Sequence, residues 1–174
     1  TKIGATYRHL RLFDKAIDYH KQAIKHKNNF LEAYTNLAIC YRGLFDFKNA
    51  ILYINKVLDI NPNFEIAIIN KAIIYSDIGE LKKSEKYYLQ VLKINENNFE
   101  AHTNLGLLYL SQLNYKKGWE HYNKRSKTKF GNSSLNIKKD TWNGYEKTSS
   151  LLIISEQGIG DQFLYSSMLK EVEG

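Results

Sequence analysis

Residues 31–64 read LEAYTNLAICYRGLFDFKNAILYINKVLDINPNF, and their pattern of small and large side chains returns 34 residues later and again after another 34. The period is clearest in three columns: Tyr7, Tyr41, Tyr75 and Tyr109; Ala33, Ala67 and Ala101; and Ala16, Ala50, Ser84 and Gly118. A fixed period of this length indicates a stack of similar supersecondary units, each of which buries its apolar face against its neighbours.

Each unit is expected to be a pair of amphipathic helices. Ala33, Leu37 and Tyr41 are four residues apart, which places them on one face of a helix. A second apolar stretch with the same spacing starts at Ala50, after a break that contains Gly43. The sequence therefore predicts an all-α chain of helical hairpins.

The columns of the second unit resemble those of the tetratricopeptide repeat family. The matching residues are Tyr34, Leu37, Ala38, Tyr41, Ala50 and Pro62. The resemblance implies an αα superhelix, a solenoid of helical hairpins over residues 1–132. It contains a partial first repeat followed by repeats at 31–64, 65–98 and 99–132. Two positions depart from the family pattern, with Lys71 where leucine is usual and Glu96 where proline is usual.

Small and aromatic columns have different expected roles in such a stack. Alanine or glycine lets paired helices approach closely. The tyrosines of the 34-residue column are expected to fill the space between one hairpin and the next.

The first helix of each unit is expected to line a concave wall, where stacked repeats usually bind extended peptides. Asn36, Asn70 and Asn104 recur on this wall, although asparagine is a poor residue inside a helix. They would offer amide groups to a peptide backbone, or else be solvated or bonded to a neighbouring hairpin. The column resembles the asparagine ladder of O-linked N-acetylglucosamine transferases. It stops at Lys2, which holds the equivalent position in the partial repeat.

Helical phase adds further residues to the predicted peptide-binding wall. They are Thr35, Ile39, Arg42, Ile69, Ile73, Asp77, Thr103, Leu107 and Ser111. This mixture does not resemble the Lys, Arg and Asn clamp with which chaperone-binding repeats hold a C-terminal carboxylate. The predicted partner is a protein or peptide in the concave groove.

Composition and residue spacing argue against several other classes of partner and binding site. The net charge of +7 is compatible with nucleic acid, but most lysines fall on predicted outer faces and turns, so nucleic acid is not the expected partner. No run is long and apolar enough for a membrane helix, and the start does not resemble a signal peptide, so a cytoplasmic protein is expected.

Cys40 is the only cysteine and is expected to be buried. The five histidines are spaced along different helices and faces, so no metal site is expected.

The amino-acid composition and the spacing of apolar residues change after the repeats. Residues 133–148 are polar and are predicted to form a connector. Leu151 to Ser155 is an apolar run typical of a buried strand, a glycine-containing loop follows at Glu156 to Asp161, and Gln162 to Val172 has helical periodicity. Residues 149–174 are therefore predicted to be the first βα unit of a Rossmann-like domain, with Asp161 as the helix N-cap.

Residues 118–174 also resemble bacterial tetratricopeptide proteins that continue into a glycosyltransferase-like domain of the O-linked N-acetylglucosamine transferase or heptosyltransferase type. The resemblance rests on Gly118-Trp119-Glu120-His121-Tyr122, Trp142-Asn143-Gly144 and Glu156-Gln157-Gly158-Ile159-Gly160-Asp161. It implies that Asp161 is a catalytic base and that the parent protein uses a sugar nucleotide. The sequence ends at Gly174 before any donor site, so no cofactor and no catalysis are expected of these residues alone. The strand at Leu151 to Ser155 is expected to be disordered, folded back on the helices or paired with a second copy of the chain.

Two functional hypotheses and a structural one follow. The first is a peptide-binding scaffold module of a larger glycosyltransferase-like protein. The alternative is part of a sugar-nucleotide-dependent glycosyltransferase whose repeats present an acceptor polypeptide. In the third, the groove is filled by the chain itself or by a second copy.

Overall fold

The computed structural model of the chain describes residues 2–26 and 30–124. Those residues form eight α-helices and contain no strand. The helices are α1 (Lys2–His9), α2 (Phe13–His26), α3 (Leu31–Gly43), α4 (Phe47–Ile60), α5 (Glu65–Asp77), α6 (Leu81–Ile94), α7 (Phe99–Ser111) and α8 (Tyr115–Tyr122). None of these helices is both long and apolar enough to cross a bilayer.

Consecutive helices pair into four hairpins, α1 with α2, α3 with α4, α5 with α6 and α7 with α8. First helices also contact each other between hairpins, α3 with α5 and α5 with α7, whereas α4 and α6 pack chiefly against the first helices on either side. Because the first helices are the closer set, they lie on the concave side of the stack. The predicted all-helical array is confirmed for the described residues. The predicted connector at 133–148, the βα unit at 149–174 and the edge strand at Leu151 to Ser155 lie outside them.

The core is built from the small columns that the period identifies. Ala38, Ala50 and Ala72 are fully buried at helix contacts, where any larger side chain would force the helices apart. Leu37 and Cys40 of α3 are fully buried against α2, in a cluster that joins the first two hairpins. Burial of a leucine or isoleucine contributes roughly 1.5–3 kcal/mol, so these contacts hold the hairpins in a stack.

The tyrosine column makes contacts both within its own hairpin and with the preceding one. The Tyr75 ring stacks on that of Tyr87, in the same hairpin, with centroids 5.5 Å apart and 3° between planes. Tyr41 stacks in the same way on Tyr53, at 5.4 Å and 5°. The column also reaches the preceding hairpin: the Tyr41 ring packs against the cluster that contains Ala16 and Ile17 of α2, and the Tyr109 hydroxyl donates a 2.6 Å hydrogen bond to the Glu85 carboxylate. The rings therefore stack on the aromatic residue twelve positions further along, and those of Tyr41 and Tyr109 also contact the preceding hairpin, as the sequence predicted.

The turn inside each hairpin has a repeated left-handed residue. Arg11, Phe45, Gly79 and Leu113 have φ of 59°, 59°, 81° and 60°, and each is 34 residues from the next. Glycine adopts this left-handed region of positive φ without steric cost. In the other three residues, the Cβ lies unfavourably close to the following carbonyl oxygen. No sequence signal marks this column, because unrelated residue types occupy it.

Candidate functional site

The concave wall is the exposed side of α3, α5 and α7. Each of these helices packs against the second helix of its own hairpin, the second helix of the preceding hairpin and a neighbouring first helix, and its remaining side carries the exposed residues. Equivalent positions on the three helices are therefore arranged in rows across the wall, one residue per repeat.

The asparagine row lies at the edge where first helices meet. Asn36 and Asn104 are half-buried, and Asn70 is only 9% exposed. The Asn36 Nδ2 donates to the Glu32 carbonyl at 2.9 Å, and the Asn70 Nδ2 donates to the Ile66 carbonyl at 2.8 Å. These bonds explain how asparagine is tolerated inside α3 and α5, and they leave the amide oxygen of each side chain as an acceptor.

A row of aliphatic side chains runs along the middle of the concave wall. Ile39 and Ile73 are half-buried, and Leu107 is 49% exposed, at the same position in three successive repeats. Ile66, near the start of α5, is 52% exposed on the same wall. Apolar side chains aligned at one position per repeat form a continuous strip on which a ligand can bury its own apolar groups.

An ion pair crosses the wall between two first helices. The Arg42 Nε lies 3.1 Å from the Asp77 Oδ2, and the two side chains are 33% and 40% exposed. The pair brings together two residues that the sequence placed on this wall. It also neutralises Arg42, which would otherwise be a free cation for a carboxylate ligand.

Two of the predicted wall residues lie elsewhere. Thr35 is 4% exposed, and its hydroxyl donates to the Leu31 carbonyl at 2.8 Å, while Ile69 is 1% exposed. Both face the packed edge between first helices, so neither can contact a ligand. Thr103 is half-buried and bonds the Phe99 carbonyl at 2.7 Å, and the exposed Ser111 bonds the Leu108 carbonyl at 2.8 Å.

Two histidines that sequence spacing separated are brought together between α7 and α8. The Nδ1 atoms of His102 and His121 are 2.8 Å apart, and the His102 Nε2 lies 3.0 Å from the Glu96 carbonyl oxygen. Since a carbonyl can only accept, the His102 Nε2 carries a proton; in the neutral ring its Nδ1 then accepts, and the His121 Nδ1 donates. Burial lowers the pKa of both rings. Among the described residues, no group of three or more His, Cys, Asp or Glu side chains is placed to hold a metal.

The cysteine shows no sign of catalytic activation. Cys40 is fully buried, and burial raises the pKa of its thiol to about 11. The thiol therefore stays protonated near neutral pH and is a weak nucleophile. The predicted catalytic residue Asp161 lies outside the described residues.

Comparison with known proteins identifies the hairpins. Residues 31–64 and residues 67–98 each match a family model described as tetratricopeptide repeat. These two segments are tetratricopeptide repeats. No curated protein matches the sequence significantly.

Several solved structures share the fold, two of them described as TPR proteins. TTC0263, a thermophilic TPR protein of Thermus thermophilus, is 21% identical over 70% of this chain and 68% of its own, and superposes with a TM-score of 0.66. MamA is 22% identical over 71% of this chain and 72% of its own, with a TM-score of 0.60. The first TPR of Spaghetti (RPAP3), solved with the HSP90 peptide SRMEEVD, is 24% identical over 64% of this chain and 89% of its own, with a TM-score of 0.58. At these identities the likeness shows the fold alone.

The tetratricopeptide framework also explains the unusual lysine of α5. The Lys71 Nζ donates a 2.7 Å hydrogen bond to the Asn55 Oδ1 and lies 4.9 Å from the centroid of the Tyr87 ring. Both partners stabilise the Lys71 charge at a position where leucine is usual, because the amide oxygen accepts a hydrogen bond and the ring face attracts the cation. The departure is therefore structural, and Lys71 does not belong to the concave wall.

Proposed function

We propose that the described residues form a scaffold that holds another polypeptide in an extended conformation against the concave wall. The observation that carries the proposal is the partly exposed aliphatic row of Ile39, Ile73 and Leu107 beside the asparagine row. An aliphatic strip with adjacent amide groups supplies both apolar contact and hydrogen bonds to a peptide backbone.

The asparagines would bind the backbone of the ligand whatever its amino-acid sequence. Asn36 and Asn70 each use one N–H on their own helix, which fixes the side chain and leaves its oxygen free to accept. A backbone N–H is the same in every residue except proline. Selectivity would then come from the aliphatic row and from the charges around it.

The peptide-bound Spaghetti structure supports the idea that a fold of this kind can hold a peptide. The peptide in that structure, SRMEEVD, contains three acidic side chains. On the concave wall of this chain, the one arginine on α3, α5 and α7 is paired with Asp77. The proposed ligand is therefore not an acidic peptide.

Selection from a phage-displayed library of unstructured peptides tests the proposal. Enriched peptides would be synthesised, labelled with fluorescein and titrated with the full 174-residue chain. We expect saturable binding that weakens on the order of tenfold in the triple variant Asn36→Ala, Asn70→Ala, Asn104→Ala, because each lost hydrogen bond costs about 0.5–1.5 kcal/mol. The control variant, Asn63→Ala with Asn97→Ala, changes two turn asparagines away from the wall and should bind normally. Peptides that bind the triple variant equally well would show that the asparagines take no part.

A second proposal rests on the resemblance of residues 118–174 to glycosyltransferase-like proteins. In it, the repeats present an acceptor polypeptide to a sugar-nucleotide-dependent transferase, and Asp161 acts as the base that takes the acceptor proton. A cytoplasmic location and pairing of copies through residues 149–174 belong to the same proposal. Its test is transfer of radiolabelled sugar from sugar nucleotides to a selected peptide by the product of the whole gene. Transfer that is lost in Asp161→Asn supports it, and transfer that is undiminished in that variant contradicts it.

A further inference from the structure

The distance between successive side chains of the aliphatic row determines which side chains of a bound peptide can contact it. Ile39, Ile73 and Leu107 occur once per repeat, on first helices that pack side by side. Packed helices have axes about 8–10 Å apart. A ligand that crosses the wall therefore meets a new aliphatic side chain roughly every 8–10 Å.

An extended polypeptide matches this distance with every third residue. A strand rises about 3.3 Å per residue, and a polyproline II helix rises about 3.1 Å with three residues per turn. In the polyproline II conformation, every third side chain also points to the same side, so each turn of about 9 Å presents one side chain to the wall. A flat β-strand instead presents every second residue, at a spacing of about 7 Å.

We propose that the concave wall of α3, α5 and α7 binds an extended peptide that carries an aliphatic side chain at every third position. This inference rests on the proposed peptide-binding function and adds the register of the ligand. Its backbone N–H groups are unused in the polyproline II conformation and are free to donate to the asparagine oxygens.

The charges of the wall define the residues between the aliphatic positions. Glu32 and Glu100 are exposed, at equivalent positions on α3 and α7, and neither carboxylate has an ion-pair partner among residues 30–124. Arg42 and Asp77 neutralise each other. The open faces of the three helices therefore present two unpaired negative charges and no unpaired positive one, so the ligand carries neutral or basic residues between its aliphatic side chains.

The row has a boundary at the partial repeat. Ala5 replaces the larger aliphatic side chain there, Lys2 replaces the asparagine, and Arg8 stands at the position of Arg42. The apolar strip thus narrows and the charge changes sign at α1. The inferred register applies to the three complete first helices.

Fluorescence anisotropy with two peptides of equal composition tests the register. The third-position probe is a fluorescein-labelled peptide of Ser and Lys with Leu at every third position, and the second-position probe has its leucines at every second position. We expect the third-position probe to bind the full chain on the order of tenfold more tightly, since one aliphatic side chain out of register forfeits about 1.5–3 kcal/mol. Replacement of its lysines by glutamate, the acidic probe, should weaken binding further.

A matched pair of variants locates the binding surface. Leu107 on the wall is 49% exposed and Leu52 on the second helix α4 is 47% exposed, so serine at either position should disturb folding equally little. Leu107→Ser should weaken binding of the third-position probe on the order of tenfold, and Leu52→Ser should leave it unchanged.

The outcomes separate the inference from the proposed function. Equal affinity for both registers overturns the inference, while peptide binding itself survives. Binding of neither probe, and of no library peptide, overturns both. A Leu107→Ser variant that converts a dimer into a monomer in light scattering, with no probe binding to either form, assigns the wall to a second copy and also overturns the inference.

Discussion

The Arg42 guanidinium and the Asp77 carboxylate form a 3.1 Å ion pair that joins α3 to α5 across the concave wall. Both side chains are partly solvated, and such pairs contribute only about 0–1 kcal/mol to stability. Their more important effect is on charge, because the pair removes the one cation that the concave wall would offer to an acidic ligand. In the proposed binding site, the residues that flank the aliphatic row would therefore help to decide which peptides the wall accepts.

Asp77→Asn should release that cation. We expect the free energy of unfolding to change by less than about 1 kcal/mol, while binding of the acidic probe strengthens and binding of the lysine-containing third-position probe weakens. Anisotropy titrations at low and high salt check this, since the gain should shrink as salt screens the charge. Glu80→Gln breaks the exposed Lys83–Glu80 pair on the second-helix side and serves as the control. An acidic probe that binds Asp77→Asn no better than wild type would show that Arg42 does not face the ligand.

The left-handed turn column predicts a stabilising substitution. Phe45 holds φ at 59° and is 78% exposed, so Phe45→Gly relieves backbone strain and loses little burial. We expect the free energy of unfolding to rise by roughly 0.5–1 kcal/mol, the strain relief being partly offset by the greater freedom of glycine in the unfolded chain. Gly79→Ala at the equivalent turn should have the opposite sign. Urea denaturation measures both, and a less stable Phe45→Gly would mean that the edge contact of Phe45 with Phe47 outweighs the strain.

Because α7 and α8 approach closely, we expect Gly106 to be sensitive to substitution. A Cβ added at Gly106 would lie 2.7 Å from the Tyr122 backbone nitrogen and 3.0 Å from the Gly118 carbonyl oxygen. Backbone atoms of packed helices cannot move independently, so Gly106→Ala should destabilise the chain by about 1–3 kcal/mol. At Gly118 the nearest atoms belong to the flexible Leu110 side chain, so Gly118→Ala should cost less. Thermal unfolding of the two variants compares them, and an equal or reversed order would contradict the packing of α7 on α8.

A buried histidine predicts acid sensitivity. His20 is fully buried, its ring nitrogens have no hydrogen-bond partner among the described residues, and burial lowers its pKa from 6.5 to about 4. Between these values the unfolded chain binds a proton that the folded chain does not. Stability is therefore complete above about pH 6.5 and falls toward about pH 4, by on the order of 1 kcal/mol per pH unit.

His20→Leu removes this contribution. Ile54 fills the equivalent position one repeat later, so an aliphatic side chain suits the site. Urea denaturation at several pH values should show a shallower acid slope for His20→Leu and an unchanged slope for His26→Leu, which alters an exposed histidine of the same helix. A wild-type chain equally stable at about pH 6.5 and about pH 4.5 would contradict the burial of a neutral His20.

The fold was predictable because its determinants repeat along the sequence. A buried alanine such as Ala38 or Ala72 has the same neighbours in each hairpin, so its column is visible without coordinates. The rows of the concave wall followed from helical phase for Asn36, Ile39 and Leu107. Helical phase wrongly placed Thr35 on the exposed wall, because phase does not distinguish an open helix face from an edge that a neighbouring first helix covers.

Contacts between helices were not predictable in the same way. His102 and His121 lie on different helices and meet only because Gly106 lets α7 and α8 approach closely. The stacking of Tyr75 on Tyr87 has a sequence signal, a pair of aromatic columns twelve residues apart, which could have identified it. The left-handed turn column has none, since its strain depends on the backbone rather than on residue type.

Methyl NMR of the full chain with labelled isoleucine and leucine side chains tests the central claim most directly. On titration with the third-position probe, we expect saturable chemical-shift changes at the methyl groups of Ile39, Ile73 and Leu107, and none at Leu52 or Leu89 on the second helices. Shifts confined to Leu52 and Leu89, or a bound peptide that leaves Ile73 and Leu107 unchanged, would contradict a ligand site on the concave wall.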